Sequence, residues 1–71
     1  MTQYRIVIEP TETGFSAYSP DLPGCISMGE TRTEVESNMR EAIAFHLEGL
    51  KLEGLDVPSP STTSAYVEVV A

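Results

Sequence analysis

A single cysteine and a single histidine are all that this 71-residue chain offers toward nucleophilic or metal chemistry of the thiol and imidazole kind. One cysteine forms no internal disulfide, and without a Cys/His cluster there is no set of zinc ligands. Long apolar runs are absent too. None approaches the roughly 18 residues that a membrane span needs, and the N-terminus lacks a signal-peptide pattern, so a reduced, cytoplasmic setting is expected. Basic residues are scarce. Four of them against eleven acidic ones leave a net charge of −7, which repels phosphate backbones and speeds encounter with a basic partner. No glycine-rich phosphate loop and no basic patch interleaved with aromatics is present. A domain this short buries only about 60% of the surface of its unfolded chain, so a second copy or a partner is the remaining route to extra burial. A homo-oligomer, dimer or higher, is therefore expected.

What is present reads as a small α+β domain. Tyr4 to Glu9 is rich in β-branched and aromatic residues, with Tyr4, Ile6 and Ile8 alternating onto one face. Pro10 ends that strand, Thr11 to Gly14 supply a turn, and Phe15 to Ser19 form the second strand of a hairpin. Leu22-Pro23-Gly24-Cys25 carries proline then glycine at the centre of a type II turn, and Cys25 to Gly29 makes a third short strand. Thr31-Arg32-Thr33-Glu34 is a capping box, in which the Thr31 hydroxyl accepts from the Glu34 amide and the Glu34 carboxylate reaches back to the Thr31 amide. Beyond it Val35, Met39, Ala42, Ile43, His46, Leu47 and Leu50 share one helical stripe. Gly54 stops the helix, with Leu55 placed to touch Leu50 as a Schellman cap prefers. An extended connection with Pro58 and Pro60 leads to Ala65 to Val70, expected as a fourth strand lying beside the first.

The order βββαβ implies an antiparallel three-strand meander with a helix on one sheet face; a single domain over residues 1–71, without a C-terminal DNA-binding module, is expected. A helix from Arg32 to Glu53 is about 33 Å long, against about 17–20 Å for strands of five or six residues. Its far end should overhang the sheet. There Phe45 and Leu52 lie opposite the main stripe, and a second surface is expected to cover them. The competing possibility is a break at Gly49, with Leu50 to Leu55 folding back on the same core.

Candidate catalytic groups fare poorly. Cys25 has no cation or histidine partner at a useful spacing and reads as a buried, inert thiol. His46 sits inside the apolar stripe as a packed residue. A two-metal nuclease clusters acids at the middle of one strand and on a facing helix, whereas Ile6-Val7-Ile8 fills that position here. No catalytic residue, metal or cofactor is assigned. The residues expected to face a partner are Tyr18 and the turn residues Asp21 and Leu22, with Glu41, Phe45, Glu48 and Leu52 on the secondary helix face.

The stretch GFSAYSPDLPGCISMGETRTEVESNMREAIAFHLEGL, followed by VPSPS, resembles the HicB antitoxin family. The glycine-started second strand, P-D-L-P-G-C, the G-x-T turn and the T-x-x-E helix opening carry the resemblance. Two departures are small: Phe15 follows one glycine where two are common, and Val35 stands where alanine is usual. The resemblance implies a domain related in shape to a pared-down ribonuclease H fold that has lost its catalytic acids. It also implies an antitoxin that binds and occludes a HicA-like toxin, a small basic RNA-cleaving protein with a catalytic histidine. Full-length members usually add a ribbon-helix-helix or helix-turn-helix module for operator DNA, and no direct nucleic-acid binding is expected of this chain. Two alternatives stand beside that reading. One is a solitary self-assembling domain without a toxin; the other is a residual metal-dependent nuclease built on scattered acids such as Glu9 and Glu68.

Overall fold

The computed structural model describes residues 2–71 and contains β1 (Val7–Pro10), β2 (Phe15–Tyr18), β3 (Ile26–Gly29) and α1 (Arg32–Leu52). The strands form one antiparallel meander in the order β1-β2-β3. Val7 pairs with Tyr18 and Pro10 with Phe15, while Phe15 pairs with Gly29 and Tyr18 with Ile26. The first connection closes with the Thr11 amide donating to the Gly14 carbonyl at 2.8 Å. β1 begins later than its apolar alternation suggests. Beyond Tyr18 the partner chain turns away at Ser19-Pro20, so Tyr4-Arg5-Ile6 continues extended without a ladder, and the Ser19 hydroxyl donates to the Arg5 carbonyl at 3.0 Å instead.

The helix starts and stops where local chemistry dictates. Thr31 is extended (φ −126°, ψ 163°), and its hydroxyl accepts from the Glu34 amide at 3.1 Å. The other half of the capping box is displaced by one residue: the Glu34 carboxylate accepts from the Glu30 amide at 3.2 Å, not from that of Thr31. At the far end Gly54 takes φ 71°. Its amide donates to the Lys51 carbonyl at 3.1 Å, and that of Leu55 to Leu50 at 2.9 Å. These are the two bonds of a Schellman cap. The helix runs unbroken through Gly49. Its 21 residues span about 32 Å, more than twice the ~14 Å of a four-residue strand, and its second half reaches Gly24 in the β2–β3 loop.

α1 lies over β3 and β2 on one sheet face. Val35 and Met39 are fully buried with Ala17, Leu22 and Cys25, and Ile6, Ile8, Phe15, Ala42, Ile43 and Leu47 are among the side chains packed around them. Gly29 is what lets helix and strand approach: a Cβ there would lie 2.6 Å from the Val35 amide nitrogen and 2.9 Å from its Cα. The Asn38 side chain fastens the same junction by donating to the Met28 carbonyl at 2.7 Å.

The expected fourth strand differs. Residues 65–70 pair with no strand among the described residues, and the outer edge of β1 is open. The chain before them is tied to the body by side chains, not by a ladder. The Tyr4 hydroxyl donates to the Pro58 carbonyl, Arg5 Nε to the Thr62 carbonyl at 3.2 Å and Arg5 Nη1 to Ser64 Oγ at 3.0 Å. Past Ser64 those ties end, and the side chains that follow are exposed. A strand needs a partner backbone to be more than an extended segment.

Candidate functional site

The loop between β2 and β3 turns twice within seven residues. The Leu22 amide donates to the Ser19 carbonyl at 3.1 Å, the Cys25 amide to Leu22 at 3.1 Å, and the Ser19 amide to Cys25 at 3.1 Å. Gly24 has φ 81°, as the second central position of a type II turn requires. This double turn sends neighbouring side chains in opposite directions. Leu22 points into the core and is 0% exposed. Its expected place on an exposed, partner-facing turn is therefore corrected: the turn curls around Leu22 and uses it as a plug. Cys25 is also buried, and burial pushes its thiol pKa up, away from the thiolate that a nucleophile needs.

Asp21 faces outward but already has partners. Its Oδ1 accepts from Thr62 Oγ1 at 2.7 Å, Ser61 Oγ at 3.1 Å and the Thr62 amide at 3.2 Å. Oδ2 accepts from the Ser61 and Thr62 amides at 3.3 Å. The Thr62 hydroxyl first, then the two amides and the Ser61 hydroxyl, hold the carboxyl below the ordinary aspartate range, partly opposed by desolvation. Asp21 thus clamps the chain that follows the helix onto the β2–β3 loop. Sequence reasoning missed Ser61 and Thr62. Their signal is the S-P-S-T-T-S cluster after the helix, but nothing local says which carboxylate it meets 40 residues away.

Glu41, Phe45, Glu48 and Leu52 follow one another at steps of four, three and four and so share one helix face. All four are exposed; Phe45 is 77% and Leu52 82% accessible. Phe45 also borders a shallow depression of about 390 Å³ with Ala42, His46, Gly49, Leu50, Glu53 and Gly24. A Cβ on Gly24 or Gly49 would meet nothing within 4 Å, so the missing side chains of these two glycines help to form the dip. Apolar side chains alternating with carboxylates, beside a concavity, are suited to receive a complementary side chain and a cation.

Tyr18 does not belong to that surface. Ala17 faces the helix, so Tyr18, next to it in β2, faces the other way. With it on the uncovered sheet face stand Ile26, its cross-strand partner, and Met28, both strongly exposed. Sequence reasoning passed over these two; the alternation of Cys25 and Ser27 with Ile26 and Met28 is the signal that separates the faces. Among the described residues, no group of three or more His, Cys, Asp or Glu side chains is placed to hold a metal ion, and no helix is long and apolar enough to cross a membrane.

These features sit on a frame shared with known proteins. The sequence model of the HicB_like antitoxin of bacterial toxin-antitoxin systems matches residues 4–70. The chain belongs to the HicB-like antitoxin family. It is 31% identical over 70 residues to Antitoxin HicB 2 of Photorhabdus laumondii, a match covering 97% of this chain and 50% of that protein. It is 38% identical over 64 residues to a 14.9 kDa protein encoded in the rep-hol intergenic region of Haemophilus phage HP1, covering 90% and 48%. Against those two relatives this HicB-like chain spans about half their length. A chain of the solved HicA3 and HicB3 toxin-antitoxin complex superposes with a TM-score of 0.74 at 42% identity, over 84% of this chain and 70% of that one. The HicB3 antitoxin crystal structure gives 0.71 at the same identity, over 84% and 44%. The three-stranded antiparallel sheet with one helix is therefore a HicB-like α+β fold, and the family role is regulatory.

Proposed function

We propose that this chain is a protein-binding antitoxin module that occludes a small basic RNA-cleaving toxin of the HicA type and performs no bond-making itself. The observation that carries the reading is the helix face turned away from the core, where exposed Phe45 and Leu52 alternate with Glu41 and Glu48. Aromatic and aliphatic anchors framed by charge are what protein interfaces use for affinity and for orienting a partner of opposite sign. An RNA-cleaving partner holds its substrate with positive charge, and a domain of net charge −7 competes for the same surface. Occupancy is then sufficient for inhibition. Direct contact with nucleic acid is no part of this role, since like charges oppose it.

The relation in shape to ribonuclease H belongs to the same proposal and supports it by contrast. The core-side positions of β1 and its lead-in are Ile6 and Ile8, packed against the buried cluster, so the place of a catalytic acid is apolar. The test is a Phe45→Asp, Leu52→Asp variant offered to the toxin beside the wild-type chain. Removing two anchors of about 2 kcal/mol each weakens binding several-hundred-fold or more and restores RNA cleavage. A variant that still binds and inhibits as wild type does moves the interface elsewhere. The sheet face of Tyr18, Ile26 and Met28 is then the next surface to probe, and a chain that binds no toxin at all returns the solitary self-assembling reading.

A further inference from the structure

β1 is an edge strand. Its ladder partner is β2, and among the described residues no strand pairs with its other side. Beside its N-terminal lead-in runs a groove of about 780 Å³, with Ile6, Met39 and Ile43 among its apolar walls and Arg40 and Thr62 at its sides. It exists because α1 packs over β2 and β3 and leaves the β1 flank uncovered. The same molecule carries a strand pattern that has no sheet. In residues 65–70, Ala65, Val67 and Val69 fall on one side and Tyr66, Glu68 and Val70 on the other. One side is wholly apolar, as a core-facing side must be, yet Val67 and Val69 are 80% and 78% exposed.

An open edge, an open groove and an unpaired strand complement one another, and we propose that they meet between two chains. Residues 65–70 of one copy add to the β1 edge of a second copy, Val67 and Val69 enter its groove, and the exchange is reciprocal. The path of the segment argues for a second copy. Pro58 and Pro60 keep the lead-in extended and stiff. Pro60 to Thr63 already form one wall of the chain's own groove, and Arg5 and Asp21 fasten Thr62 and Ser64 there. The strand therefore leaves its own body without filling the space beside it. The molecule is drawn out accordingly: its extents are 48 × 27 × 21 Å and its radius of gyration is 13.9 Å, against about 11 Å for a compact chain of this length. Exchange of an identical element between protomers closes as a two-fold dimer and needs no new surface. It also enlarges a core that holds five buried apolar residues among the described ones.

Light scattering on the full chain is expected to give twice the 7.7 kDa of one copy. A Val67→Asp, Val69→Asp variant alters only side chains that are exposed in the single chain, and it is expected to return to one copy with its helical circular dichroism intact. Strand exchange is then separated from other association by mixing two preparations, one spin-labelled through Glu9→Cys and the other through Glu68→Cys. Cys25 is buried and stays unlabelled. Labels on adjacent strands about 4.8 Å apart must lie within about 20 Å of each other across the two chains. A single-copy mass at all concentrations overturns the proposal. So does a dimer that survives the two aspartates, and so does a dimer without the short distance between differently labelled chains.

Discussion

Leu22→Ala separates a core residue from a contact residue, because the two roles predict different magnitudes. Leu22 is completely buried and packs in the core with Ala17, Cys25, Val35 and Met39. Leucine-to-alanine changes at such sites cost about 2–5 kcal/mol, the spread reflecting how far the site collapses. Leu22 sits in a loop with Pro20 and Pro23 on either side, so partial collapse is expected and the cost should be about 3 kcal/mol. A domain of this size has a total stability of roughly 4–11 kcal/mol, so a large fraction is lost. The melting temperature should fall by about 12–24 °C, at about 4–8 °C per kcal/mol. The assay is urea and thermal unfolding followed by helical circular dichroism, at one protein concentration because self-association makes midpoints depend on it. Phe45→Ala is the control. Its side chain is 77% exposed, and its loss should shift stability by less than about 0.5 kcal/mol. A Leu22→Ala cost under about 1 kcal/mol, within the range of exposed sites, refutes the placement of Leu22. A Phe45→Ala cost of the same size as that of Leu22→Ala refutes the contrast.

Gly29→Ala places a Cβ 2.6 Å from the Val35 amide nitrogen, against backbone that cannot move without lifting the helix; an overpacking cost of about 1–3 kcal/mol is expected in the same unfolding assay, and a neutral effect would show that α1 is not seated on β3 at that point. Asp21 provides the pH test. Its carboxyl is held below the ordinary range by the Thr62 hydroxyl and neighbouring donors, so its contribution is complete above the unfolded chain's value and is lost as pH falls through the folded value. Stability followed from about pH 6 down to about pH 3 should therefore decline more steeply in wild type than in Asp21→Asn. Parallel curves would mean that the clamp on Ser61 and Thr62 does not bear on folding.

How much of the fold and the site is legible in the sequence depends on the span over which each feature is decided. The turn at Pro23-Gly24, the Thr31 cap and the Gly54 stop are settled by residues within five positions of one another, and they stand where local chemistry puts them. The unbroken helix across Gly49 follows from the same short-range bonds. Asp21 and Leu22 do not behave as a pair: a turn predicts exposure on average, whereas this double turn inverts one side chain and not the other. The chain after the helix is legible as a strand pattern but not in its fate. Its ties run from Tyr4 to Pro58, Arg5 to Ser64 and Asp21 to Thr62, and side-chain hydrogen bonds across such separations leave no periodicity to read. On the helix, the 3.6-residue period is enough to separate Val35 and Met39 from Phe45 and Leu52. That period carries no information about Tyr18, which ends on the opposite layer from them.

Inhibition by occupancy stands or falls on one titration. RNA cleavage by the HicA-type toxin is followed while this chain is added, with the mass of the complex recorded across the same mixtures. Cleavage is expected to end as the last free toxin enters a stoichiometric complex, and the chain alone is expected to leave the RNA intact. Cleavage that persists with the chain in saturating excess, or RNA cut by the chain by itself, contradicts it.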